Sequence, residues 1–99
     1  MFSVKNPFYI TQGVKRNIHP RLIKEMLDSV MRLREFAKVD YLQIFTFSQE
    51  GDKTLIEHTQ EEPAHKKKLV FKGIPNKFEG TVYIIDNVTH TTVLLANEY

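Results

Sequence analysis

The sequence contains no cysteine and no tryptophan. Without thiols the chain has no disulfide framework, no thiolate metal cluster and no cysteine nucleophile, and a reducing compartment suits it. Apolar runs are short. The longest reach about four residues, as at Val82 to Ile85, against the roughly 20 that span a bilayer, so no membrane contact is expected. Met1 to Ile10 carries Lys5 and Asn6-Pro7 instead of the apolar stretch of about 7 to 15 residues that an export signal needs. The four glycines stand apart at positions 13, 51, 73 and 80. Neither G-x-G-x-x-G nor a Walker loop is present, and no cofactor is expected. Ser3, Ser29 and Ser48 stand in no nucleophile motif, which argues against a serine hydrolase. A net charge of +2 by itself argues for neither nucleic acid nor an anionic membrane.

What the chain does contain is the composition of one globular domain over residues 1–99, with 41% hydrophobic and 26% charged residues, and neither a repeat nor a linker divides it. Phe8 to Lys15 alternates loosely, with Phe8, Ile10 and Val14 on one side, and predicts a first strand beginning after Pro7. From Pro20 to Ala37 the residues Leu22, Ile23, Met26, Leu27, Val30, Leu33 and Ala37 recur at spacings of three and four. That is an amphipathic helix, with proline at its first position and His19 as its cap. Arg21, Lys24, Glu25, Asp28, Arg32 and Glu35 form the opposite, solvated side, where Asp28 and Arg32 have the spacing of a helical ion pair.

Tyr41 to Phe47 and Thr54 to His58 flank the turn residues Glu50-Gly51-Asp52 and read as a hairpin. A short strand follows at Lys68 to Lys72, then a last pair at Thr81 to Asp86 and Thr91 to Ala96. The order β-α-β-β-β-β-β predicts an α+β fold: one helix on a mostly antiparallel sheet of five to six strands. Several strands are apolar on both sides, with Leu42 and Ile44 opposing Tyr41, Phe45 and Phe47, and Val82 and Ile84 opposing Tyr83 and Ile85. One helix covers one face only, so the sheet is expected to curl over its second face or to pair with a second copy as a homodimer.

The candidate sites are few. His58, Glu61 and His90 are the candidates for a metal or acid–base centre. The run from His58 to His65 lacks H-E-x-x-H spacing and contains Pro63, which no short helical motif would survive, so His58 reads better as a half-buried strand residue and His65 as a solvated loop residue. No catalytic or metal residue is assigned. Lys66, Lys67, Lys68, Lys72 and Lys77, interleaved with Phe71 and Phe78, are the candidates for nucleic-acid contact. Alternation places Lys67 and Lys68 on opposite faces, however, and lysines also protect sheet edges from pairing. A second basic group comprises Lys5, Lys15, Arg16, Arg21 and Lys24. For a protein partner the candidates are Tyr41, Gln43 and Phe45; Gln43 interrupts an apolar face, and its amide suits a partner or a loop.

Tyr9-Ile10-Thr11-Gln12-Gly13-Val14, Asp40 to Phe45, His58 to Pro63, and Val93 to Tyr99 together resemble an uncharacterised family of small proteins from low-GC Gram-positive bacteria, over nearly the whole chain. The resemblance implies a single domain of about this length in a bacterial cytoplasm, and carries no site residue. The sequence therefore predicts a protein that binds a macromolecular partner and catalyses nothing, through an exposed strand edge or an uncovered sheet face. The alternative is a nucleic-acid accessory protein, and the third reading is a small enzyme or metal protein.

Overall fold

A computed structural model of the chain describes residues 7–99. Its elements are β1 (Phe8–Ile10), α1 (Gln12–Asn17), α2 (Pro20–Phe36), β2 (Leu42–Glu50), β3 (Lys53–Gln60), β4 (His65–Lys72), β5 (Gly80–Asp86), β6 (Thr91–Leu95) and a terminal 3₁₀ turn (Ala96–Glu98). The six strands form one sheet in the order β1-β6-β5-β2-β3-β4. β1 runs parallel to β6, and every other pair is antiparallel. The sheet is open: β1 and β4 form its two edges, so the expected curling does not close it.

α2 forms where proline and periodicity place it. The His19 Nδ1 accepts the Arg21 N–H at 3.1 Å, Pro20 takes the position where no N–H is needed, and Ala37 N–H closes the last turn on the Leu33 carbonyl. Leu22, Ile23, Met26, Ser29, Val30 and Leu33 are buried along one stripe. On the exposed side, the ion pair differs from the expected one. Asp28 pairs with Lys24 at 2.8 Å, while the Arg32 Nε donates to the Asp28 carbonyl. Lys24 precedes Asp28 by one turn, and its flexible stem reaches the carboxylate directly.

Residues 11–17 depart from the predicted strand. β1 ends at Ile10, and α1 begins under a Thr11 cap whose Oγ1 accepts the Val14 N–H. Gly13 lies inside this helix for a steric reason. A β-carbon there would stand 2.7 Å from the Glu98 Oε2 and 2.9 Å from the Leu95 Cδ1. Glu98 holds that junction, because its Oε1 accepts the Thr11 hydroxyl at 2.7 Å and the Leu95 N–H at 2.8 Å. These bonds hold its carboxyl below the usual carboxylate range, the Thr11 hydroxyl contributing most.

Val14 from α1 and the α2 stripe share one core with Phe45, Phe47, Ile56, Val82, Ile84, Val93 and Leu95. The registers set Phe45 opposite Val82 and His58, and Ile84 opposite Val93. All in-facing residues thus share one parity, since strand side chains alternate between faces. The other parity puts Leu42, Ile44, Leu55, Tyr83, Ile85 and Leu94 on the face that neither helix covers. There the Tyr99 ring meets Tyr83 edge-on at 5.5 Å.

Candidate functional site

Beneath α2 the sheet carries a chain of buried polar side chains. Gln43 and His58 are 0% exposed, Ser29 2% and Gln60 4%. The Gln43 Nε2 donates to the Asp40 carbonyl at 2.9 Å and to the Gln60 Oε1 at 2.8 Å. Its Oε1 is therefore the acceptor for the His58 Nε2–H at 2.6 Å. That fixes the imidazole tautomer, leaving Nδ1 to accept the Ser29 hydroxyl at 2.8 Å. Gln60 completes the chain: its Nε2 donates to the Lys38 and Pro63 carbonyls, and its Oε1 also accepts the Asp40 N–H. Phe45 stacks on the His58 ring at 4.2 Å.

A serine hydroxyl donating to a histidine has the form of a nucleophile and its base. Here both partners are sealed from solvent, so no substrate reaches them. Chemically the arrangement is a tie that fastens the α2–β2 loop and the β3–β4 turn to the sheet. Burial pushes the His58 imidazole from 6.5 to about 4, assisted by the charges of His65 and Lys67. Two expectations are corrected here. His58 is fully buried rather than half-buried, because its ring nitrogens both find partners. Gln43 and Phe45 face the core, not a partner; of that trio only Tyr41, 45% exposed, stands at the surface. Gln43 does bond a loop, through the Asp40 carbonyl.

The metal or acid–base reading finds no converging residues. His58 lies on β3, Glu61 in the exposed turn after it, and His90 before β6, with β2 and β5 between the two histidines. Among the described residues no three His, Asp or Glu side chains cluster. His65, expected in a solvated loop, begins β4 half-buried, with its ring 6.0 Å from that of His58.

β4 is the longer of the two sheet edges. It pairs with β3 over its full length, from His65 opposite Gln60 to Lys72 opposite Lys53, and no described strand pairs with its outer side. Parity sends Lys66, Lys68, Val70 and Lys72 to the uncovered face and His65, Lys67, Leu69 and Phe71 to the helix face. Val70 is 58% exposed. Lys66 lies 3.9 Å from Glu57 and Lys72 3.9 Å from Asp52, long and solvated pairs that bind little charge. Lys67 and Lys68 have no ion-pair partner among the described residues.

The five lysines proposed for nucleic acid therefore do not form one track. Four line an edge, divided between its two sides. Lys77 lies in the β4–β5 loop, where it lines a cleft with Lys15, Arg16 and His19. Arg21 and Lys24 are not among the residues that line that cleft, and Lys5 lies outside the described residues.

These features define a small α+β protein with one sheet face covered by helix, a second face that neither described helix covers, and a basic edge. No helix among the described residues is long and apolar enough to cross a membrane. The chain belongs to a family described as staphylococcal proteins of unknown function, DUF960, which matches residues 8–98. It is also similar in fold to the crystal structure of a protein of unknown function from Enterococcus faecalis. That similarity has a TM-score of 0.86 and 18% identity, and covers 99% of this chain and 94% of the other. No curated protein matches the chain.

Proposed function

We propose that this protein is a non-catalytic interaction protein of the bacterial cytoplasm, and that its docking surface is the free β4 edge, which accepts an extended acidic segment of another protein as a seventh strand. The observation that carries this reading is the edge itself: eight residues in continuous register with β3, unpaired on the outside among the described residues, and lysine at Lys66, Lys67, Lys68 and Lys72. An open edge offers main-chain donors and acceptors to any extended chain. The lysines select among them. A second copy of β4 would set lysine against lysine, and like charges across a strand pair repel. A strand carrying Asp or Glu on both of its faces instead meets a complementary charge on each side of the sheet.

The test is titration with a synthetic peptide of about ten residues that repeats Glu-Val-Thr, a period of three that puts Glu on both faces of an added strand, compared with its Lys-for-Glu counterpart. The acidic peptide binds, more weakly as salt rises. The double variant K67E/K68E weakens it by about tenfold or more. Equal binding of the lysine peptide, or no binding of either, overturns the reading, as does an oligonucleotide that binds where the acidic peptide does not.

A further inference from the structure

We propose that the cleft between the α1–α2 elbow and the β4–β5 loop is a binding site for a phosphate group, carried by a small phosphorylated molecule. The site involves none of the β4 residues and is independent of the strand-addition reading. Lys15 and Arg16 reach it from the end of α1, His19 from the elbow, and Asn76 and Lys77 from the β4–β5 loop. No carboxylate lines it, and Lys15, Arg16 and Lys77 form no ion pair among the described residues. Three cations from two separate segments repel one another when brought to one concave site, and an anion is the species that relieves this.

The hydrogen bonding of the neutral groups points the same way. The Asn76 Oδ1 accepts the His19 backbone N–H at 3.0 Å. That bond fixes the amide and leaves Nδ2, on a side chain 9% exposed, as a buried donor with no partner. Buried amide donors without partners are uncommon in folded proteins and call for an acceptor. The His19 Nδ1 is likewise committed to the Arg21 N–H, so the remaining ring nitrogen, Nε2, carries the proton and is a donor. The acceptor atoms of both side chains are thus used, and what they still offer is N–H. A phosphate group, all acceptor oxygens and negative charge, is complementary to such a lining. The cleft volume of about 420 Å³ accommodates the phosphate with a small organic group attached.

The experiment is ¹⁵N-detected titration of the intact chain with inorganic phosphate, with a nucleoside monophosphate, and with sodium chloride at matched ionic strength. The side-chain amide signal of Asn76 is the reporter, and phosphate moves it with saturation in the low millimolar range or below. Tighter binding of the monophosphate identifies an organic phosphate as the ligand class. Inorganic phosphate binding as tightly or more tightly overturns the assignment to a small phosphorylated molecule. In K77E, whose side chain is exposed, affinity falls about tenfold or more while the dispersed spectrum is retained. In Asn76→Asp the His19 N–H keeps its acceptor, but a negatively charged carboxylate replaces the amide donor, and phosphate binding, followed there through the Lys77 backbone amide, is lost. Equal shifts with chloride, or shifts unchanged in K77E, show general screening of a basic surface and overturn the proposal.

Discussion

Lowering the pH below neutrality destabilises this fold through His58. The folded imidazole titrates at about 4 instead of 6.5, with burial the main cause and His65 and Lys67 adding repulsion. The unfolded chain therefore binds the proton more readily. Stability from this group is complete above its unfolded pKa and is lost as pH falls toward the folded value. A displacement of about 2.5 units corresponds to about 3 kcal/mol in total, with roughly 1.4 kcal/mol gone near pH 5.5 and roughly 2.5 near pH 4.5. Against a total stability of about 5 to 15 kcal/mol for a domain, that is a large share.

The tie gives this loss a structural cause. A proton on Nδ1 obliges the Ser29 hydroxyl to turn from donor to acceptor and leaves a cation buried with no opposite charge beside it, while Nε2–H stays bound to Gln43. Urea unfolding at several pH values between about 7 and 4.5 measures the slope, which approaches one proton, about 1.4 kcal/mol per pH unit. In His58→Gln, which keeps a donor and an acceptor at the site, overall stability is lower and the slope above about pH 5 is largely gone. A flat wild-type profile over this range, or an unchanged slope in the variant, refutes the reasoning.

Three further substitutions test the packing. Ser29→Ala leaves the His58 Nδ1 buried without its donor and lowers unfolding free energy by about 1 to 3 kcal/mol in urea. Gly13→Ala sets the gain of roughly 1 kcal/mol in helix propensity against displacement of Glu98 and Leu95. Overpacking costs about 1 to 3 kcal/mol, so the melting temperature falls, and a rise would show that the Glu98 junction yields freely. Val88 holds a positive φ of 71° and is 81% exposed. Val88→Asn relieves a left-handed β-branched residue and stabilises by about 1 kcal/mol, read as a higher melting temperature.

Much of the architecture was legible because local signals agreed. Pro20 with the three- and four-residue spacing fixed α2, and Glu50-Gly51-Asp52 between two β-rich runs fixed the first hairpin, where Gly51 takes φ +63°. α1 was missed because six residues are too few for a periodic pattern, and Phe8, Ile10 and Val14 imitate a strand's alternation. The available signal was Thr11 as a cap ahead of Lys15 and Arg16 in the last turn. The buried tie was missed for a different reason. Gln43, His58 and Gln60 each interrupt an apolar face when read strand by strand, and only the β2–β3 register brings them together. The alternation of the lysine run is legible in the sequence, but Lys77 belongs with Lys15 and Arg16 through a loop whose path no local pattern encodes.

Amide hydrogen exchange along residues 65–72, with and without the acidic peptide, tests the docking claim most directly. In an antiparallel pair alternate amides point toward β3 and the others point outward. Addition of a strand newly protects the outward set alone, every second residue along the edge, while the inward set changes little. Binding that leaves all eight amides exchanging as before, or that protects residues elsewhere on the sheet, contradicts strand addition at β4.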